Sequence, residues 1–527
     1  MNNISKKKNS ENSEEIKVVS IKRDVQTKEV AVTLQSKYRG NTVVKTIPRD
    51  TINVMGLRGL SKYGFPTLKK DDIDNFIAYY EKNEDSFPIE NIHHTVGWHE
   101  IGGKDYFLHR KALADNKVKK ITYNGSLDLS EKGSTDDFVN FFAESLKESV
   151  GLQAACAVSL ASAVVGRIKN KDLRFIFHIE GTSTSGKTTT LMLAGSLWGN
   201  PQIAPNGVVK NWNTTVNKLI QSAGGNNGVM IGLDELSMSN ADNTQLTYLL
   251  TGGSDKQRMT NDESKCDSFN TSTMSSGEIE FKTSNYGGIA VRLFEVKNYS
   301  FTKDKEHAEA ISDFIGEHYG TVGFEFAKVL SGMPIEKIRK KLDDFSIKVQ
   351  KRIEKHLKEQ GKSNSPLFSR MADKIAAIAM AASIAKSKIG IDFDIVSIVD
   401  FLICETTLLE MGQEQSVEAM DRFFEEFAKN NTRFPSGNTK DNNLWGKTIY
   451  KDGQLFEIVV LYNQFVKMMK SVGFPDTVSL IKALKEKSFI KCEQGKNYSR
   501  RDIGNLKKTK VIVIDVFAVK GGADDEN

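Results

Sequence analysis

Residues 174–199 read RFIFHIEGTSTSGKTTTLMLAGSLWG, and this stretch decides the fold. RFIFHIE is a short apolar run with the pattern of a strand buried on both faces. It breaks into GTSTSGKT, residues 181–188, which matches G-x-x-x-x-G-K-[ST], and TTTLMLAGSLWG then supplies helix formers. Strand, Gly-rich turn and helix in that order build an anion cradle. The glycines let successive backbone N–H groups turn inward, and the helix N-terminus adds a partial positive charge. We expect Gly181, Thr182, Ser183, Thr184, Ser185, Gly186, Lys187, Thr188 and Thr189 to surround the phosphates of ATP, with Lys187 against the β/γ-phosphates and Thr188 on Mg²⁺.

Hydrolysis also needs an acid on the far side of the metal and a base for the attacking water. NNGVMIGLDELS, residues 226–237, is an apolar strand pattern ending in Asp234 and Glu235. Asp234 is expected in the Mg²⁺ shell and Glu235 beside the water. The spacing from Lys187 predicts that this strand neighbours the one before the turn. TSTMSSGEIEF (271–281) offers Ser275 or Ser276 at a strand end, where a hydroxyl would touch the γ-phosphate. GGIAVRLFEV (287–296) places Arg292 in an otherwise apolar strand, either in a local salt bridge or as an arginine finger for a neighbouring subunit.

Beyond these motifs, 527 residues exceed one hydrophobic core, and 39% apolar with 27% charged residues is ordinary for a soluble globular chain. The net charge of +6 predicts nothing alone. Four cysteines without a CxxC pair exclude a disulfide framework and fit a reducing cytoplasm. MNNISKKKNSENSEE has no apolar segment and reads as a disordered tail, while the Ala-rich runs 151–166 and 375–385 read as buried helices and imply no membrane partner. His93, His94, His99 and His109 read as polar faces of strands.

The expected fold class is α/β. A tail (1–15) and a small β-rich N-terminal domain (16–130) precede a parallel-sheet ATPase core (131–302) and a helical lid (303–433). A linker (434–443), a winged-helix-like domain (444–520) and a second tail (521–527) follow.

GWHE, FHIEGTSTSGKTTTLMLAGSLWG, KNWNTT, GVMIGLDEL, TMSSGE and AVRLFEV, in this order, resemble a domain-of-unknown-function family of AAA+ ATPases carried by mobile genetic elements. Within it the chain looks most like the MCM-like replication initiator helicases of staphylococcal pathogenicity islands and chromosomal cassettes. The resemblance runs from about residue 17 to 515. It implies an AAA+ P-loop core, Lys187 and Thr188 at phosphates and metal, Asp234 and Glu235 in hydrolysis, Arg292 as the finger and Arg370 as a lid arginine reaching the nucleotide. It also implies a hexamer, recognition of an origin through the C-terminal region, and contact with host replication proteins. At the sensor position it departs from the usual asparagine, which is serine here.

Two segments are expected on DNA, single-stranded in the channel and duplex at the origin. GGSDKQRMTNDESKCD (252–267) offers Lys256, Arg258 and Lys265 to a pore or a solvated loop, with Lys256 and Arg258 alternatively serving the nucleotide. Residues 477–510 hold ten Lys or Arg against three acids, a balance of +7, in a helix followed by two strands. Lys482, Lys485, Lys496, Arg500, Arg501, Lys507 and Lys508 are the candidates there. The expected activity is ATP-dependent DNA unwinding at a replication origin. The alternatives are protein remodelling or loading on DNA, or origin binding in which ATP serves only assembly.

Overall fold

The structure, a computed structural model, describes residues 16–182, 185–239, 241–253, 268–281, 291–360, 366–406, 415–437, 443–474 and 477–519. The candidates Ser183, Thr184, Lys256, Arg258 and Lys265 lie outside these residues, as do both tails and 438–442 of the linker.

The run RFIFHIE forms the strand Ile176–Glu180 in a five-stranded, wholly parallel sheet. The order is Val209–Asn211, Ile231–Asp234, Thr273–Gly277, Ile176–Glu180, Leu293–Lys297. Its central strands are buried on both faces, which is why their sequences are continuously apolar rather than alternating. This order corrects one expectation. The strand ending in Asp234 does not neighbour Ile176–Glu180, because Thr273–Gly277 inserts between them.

Helix Val150–Ile168 packs against this sheet, long and apolar enough to cross a membrane yet 94% buried inside the protein. Its alanines and serines allow close approach: Ser159 Oγ donates to Ala194 O at 2.7 Å, and Ser162 Oγ pairs with Ser272 Oγ at 2.8 Å. The helices Lys305–Glu317, Val322–Ser331, Ile335–Glu359, Pro366–Lys388 and Ile395–Cys404 share one continuous core with it. Ile335–Glu359 is charged outside and buries Ile338, Leu342, Val349, Ile353 and Leu357 at helical spacing, the amphipathic pattern of KIRKKLDDF.

The N-terminal strands form a nine-stranded sheet whose last member, Asn226–Asn227, comes from the core and pairs with Val96–Gly97. The GWHE motif is therefore a joint. Gly97 adopts φ +82 where a Cβ would lie 2.1 Å from Asn227, and Trp98 Nε1 donates to Ala163 O at 2.8 Å beneath the Arg167 guanidinium. The four histidines bond within the protein, His93 to Thr95 O, His94 to Asp24, His99 to Gly225 O and His109 to Trp198 O. His93 and His109 are fully buried rather than on polar strand faces, because their rings fill the packing between sheet and core.

At the C-terminus, strands Gly446–Lys451, Gln454–Leu461, Leu506–Asp515 and Ile490–Lys491 form an antiparallel sheet with Ser499–Ile503 paired to Leu506–Asp515. Helices Tyr462–Ser471 and Thr477–Glu486 cover it. Helix Gln415–Lys429, grouped with the lid in the sequence reading, contributes Ala419, Met420 and Phe423 to this C-terminal core.

Candidate active site

The Gly-Lys-Thr turn closes at the C-terminal edge of the parallel sheet, where Gly186 takes φ +77 and begins helix Lys187–Ser196. A side chain at Gly186 would strike Thr302 Oγ1 at 2.7 Å, so glycine is required for both conformation and space. Lys187 is 6% exposed, and its ammonium donates to Gly181 O at 2.7 Å and Thr182 O at 2.6 Å. The lysine thus spans its own loop from beneath, in position for anionic oxygens placed there. The segment after Leu293–Lys297 backs the loop: Asn298 N–H donates to Glu180 O at 3.1 Å and Phe301 N–H to Ser185 O at 3.1 Å. Sequence reasoning missed these supporting residues, since no motif marks them.

Asp234 ends its strand nearly buried, and its Oδ1 accepts from Thr188 Oγ1 at 3.2 Å and from Ser276 Oγ. One carboxylate oxygen therefore ties the loop's hydroxyl to the strand that separates the two motifs. Glu235 sits half-buried with φ +64, a left-handed conformation that a glutamate adopts only under strain. Its N–H approaches Ser276 Oγ at 3.4 Å and its carboxylate accepts from Ser237 Oγ at 2.5 Å. Of the two candidate serines, only Ser276 faces the acids. Alternation along the strand turns Ser275 to the other side, where its Oγ accepts from Trp212 Nε1 at 3.0 Å and pairs with His178 Nδ1 at 3.0 Å. Burial pushes His178 down to about 4.

Thr188, Asp234 and Lys187 fit a phosphate-bound divalent ion: a hydroxyl and a carboxylate for the metal, an ammonium for the oxygens. Thr182, Ser185 and Thr189 line the same turn.

The arginines lie elsewhere. Arg292 precedes its strand rather than standing within it, and its carbonyl accepts from Ile176 N–H at 2.8 Å, at the start of the strand whose end carries the loop. Five residues at ~3.3 Å each put on the order of 15 Å of strand between them. Its guanidinium lies 5.5 Å from the Tyr248 ring centroid. Arg370 is exposed one turn before Lys374, a buried lysine that donates to Asp172 O at 2.6 Å and to Arg370 O at 3.2 Å. Burial, then Arg370, push Lys374 down to about 8. Residues 171–176 thus carry the anchors of both arginines, and Arg174 is buried there too, donating to Gly252 O at 2.7 Å. Arg370 and Arg292 both act on the Lys374 ammonium, which puts them on the side of the sheet where Asp172 lies.

In the C-terminal region, Lys482, Arg500, Arg501, Lys507 and Lys508 are exposed. Lys485 is drawn to Lys496 O at 2.8 Å, and Lys496 to Glu493 at 2.7 Å. Arg500 stands directly opposite Lys510, a like-charge pair that costs stability in a bare hairpin. Lys510 was not among the sequence candidates, although it follows directly on the basic run KKT within KKTKVIVID.

A parallel sheet with a Gly-Lys-Thr turn at its edge and a C-terminal antiparallel sheet covered by helices define a mixed α/β protein. A family model described as Domain of unknown function (DUF927) matches residues 1–265, half of the chain, and the chain belongs to that family. The Cch helix turn helix domain matches residues 416–519. Among solved structures the chain is similar to SCCmec type IV Cch, described as an active helicase, with a TM-score of 0.75 and 24% identity over 96% of this chain and 95% of that one. That likeness speaks for the fold. Two structures of the NrS-1 C-terminal region, at TM-scores of 0.30 and 0.29 with 11% and 12% identity, span 95% and 94% of this chain and 96% of theirs, and support no argument. No curated protein sequence matches.

Proposed function

We propose that the chain is an ATP-dependent DNA helicase that starts replication of a mobile genetic element, with an AAA+ P-loop core and a winged-helix-like origin reader. The observation that carries this reading is the meeting of Thr188, Asp234 and Ser276 above Lys187, at the sheet edge opposite Arg292. Lys187 would move from its loop carbonyls to β/γ-phosphate oxygens. Thr188 and Asp234 would hold Mg²⁺, which supplies neutralising charge to the transferred phosphoryl group. Glu235, at the end of the same strand, would orient and deprotonate the attacking water, with Ser276 fixing the peptide that aims it.

Because Arg292 and Arg370 stand at the other edge, each would serve the nucleotide of an adjoining subunit, which makes a ring, as a hexamer, the working form. Arg500, Arg501, Lys508 and Lys510 on the C-terminal hairpin would bind duplex phosphates, with helix Thr477–Glu486 beside the groove. The pore role of Lys256, Arg258 and Lys265, contacts with host replication proteins and a cytoplasmic site of action belong to the same proposal. Strand displacement on 3′- and 5′-tailed forks tests it. Unwinding should require ATP and vanish in Lys187→Ala. A wild-type chain that hydrolyses ATP but separates neither fork would favour protein remodelling or loading instead. Negligible turnover with DNA present would leave ATP as an assembly ligand only.

A further inference from the structure

Residues 16–66 contain ten Lys or Arg and three acids, a balance of +7 that exceeds the +6 of the whole chain. Part of this charge is neutralised locally, as Arg49 pairs with Glu84 at 2.7 Å. Three of the cations, Arg39, Lys45 and Lys62, gather around one hairpin, Val30–Tyr38 and Asn41–Pro48, paired without a break from Ala31–Pro48 to Tyr38–Asn41.

Its two-residue turn is Arg39–Gly40, with φ +49 and +82. Positive φ at both positions is the geometry for which Asn-Gly is the ordinary choice. Here an arginine occupies the first position, fully displayed at the tip, with its guanidinium 5.3 Å from the Tyr38 ring centroid. A second aromatic packs farther along the same face. Tyr63, 44% exposed, carries Lys45 at 4.2 Å and Lys62 at 4.9 Å from its ring centroid. Gly64 lies against Val43, where an added methyl would sit 3.6 Å away, so the Tyr63 turn is pinned to the second strand. Lys37 and Val44 alternate to the other face of the ribbon, so the surface consists of Arg39, Tyr38, Lys45, Lys62 and Tyr63.

We infer that this hairpin binds single-stranded nucleic acid. Aromatic faces already matched to cations are the pairing that takes a base on the ring and a phosphate on each flanking ammonium. The rigid turn holds Arg39 clear of the sheet, so the strand can run from the tip past Lys45 and Tyr63. The site needs neither ATP nor the C-terminal hairpin, and stands whether or not the chain is a motor.

The test is fluorescence anisotropy of labelled oligo-dT with the full chain, without nucleotide, across a salt series, in a background of Arg500→Ala, Arg501→Ala and Lys508→Ala. Arg39→Asn introduces the residue this turn prefers while removing the charge. Arg39→Asn with Lys45→Ala should weaken binding at least tenfold and lower the salt slope by about 0.7 per cation. Tyr63→Ala should weaken it several-fold with the slope unchanged, and Tyr63→Phe should restore it. Wild-type affinity in every variant overturns the inference. So does a Tyr63→Ala chain that binds oligo-dT normally, or variants whose loss is confined to phosphatidylserine vesicles, which would make the patch a membrane contact.

Discussion

Arg292 and Lys187 occupy opposite ends of one stretch of sheet: the backbone of Arg292 meets Ile176, where the central strand begins, and Lys187 follows the loop that leaves its end at Glu180. A side chain that must cross the length of the strand cannot reach its own chain's phosphates. If it acts on ATP, it acts between subunits. Arg292→Ala should therefore poison mixtures, so that blending it with wild-type chains lowers ATPase activity more steeply than the fraction of wild type. A loss in simple proportion contradicts trans action.

Glu235 holds φ +64 beside Asp234. A glutamate there costs about 1 kcal/mol that glycine avoids. Glu235→Gly should raise the unfolding midpoint while stopping hydrolysis, a gain and a loss at one position. Glu235→Gln should leave the midpoint unchanged and also stop hydrolysis. Thermal melts beside turnover assays check both, and Glu235→Gly with normal turnover would remove the residue from the mechanism.

Adjacent serines should separate cleanly. Ser276→Ala deletes a hydroxyl bonded to Asp234 and should lower turnover with little effect on folding. Ser275→Ala leaves Trp212 Nε1 without its buried acceptor, which costs about 1–3 kcal/mol, and should destabilise the chain with turnover retained below the melt. Reversed outcomes would exchange their roles.

Lys374 supplies a pH signature. Buried, with a value near 8 against an ordinary 10.5, it sheds its proton in the folded chain before the unfolded chain does. Between about pH 8 and 10.5 the unfolded state binds more protons, so the wild type should gain stability on Lys374→Met as pH rises through that window. Below pH 8 the difference should be flat. Urea midpoints of both chains measure it, and a constant difference from pH 7 to pH 10.5 would mean that the ammonium is not desolvated.

The parts legible in the sequence are those whose chemistry dictates neighbouring residues. GTSTSGKT and GLDEL are legible as a glycine turn opening a helix and a strand ending in acids, and the structure forms both and bonds Thr188 to Asp234. Ser275 and Ser276 were indistinguishable because TSTMSSG is buried on both faces, which erases the alternation that assigns faces elsewhere. The insertion of Thr273–Gly277 between the two motifs was illegible for a different reason: strand order comes from packing across the sheet, and sequence distance does not encode it. Helix Gln415–Lys429 reads as amphipathic, but amphipathicity does not say which core receives its apolar face. The N-terminal patch is illegible in the sequence because Lys45 and Lys62 are seventeen residues apart and meet on Tyr63 only when the hairpin and the Tyr63 turn fold together.

The most direct measurement is equilibrium binding of a fluorescent ATP analogue with Mg²⁺, paired with phosphate release, in wild type, Lys187→Ala and Asp234→Asn. Wild type should bind and hydrolyse, Lys187→Ala should lose binding by at least tenfold, and Asp234→Asn should lose the Mg²⁺ dependence of whatever binding remains. Unchanged binding and phosphate release in both variants would contradict the convergence of loop and acid on one nucleotide.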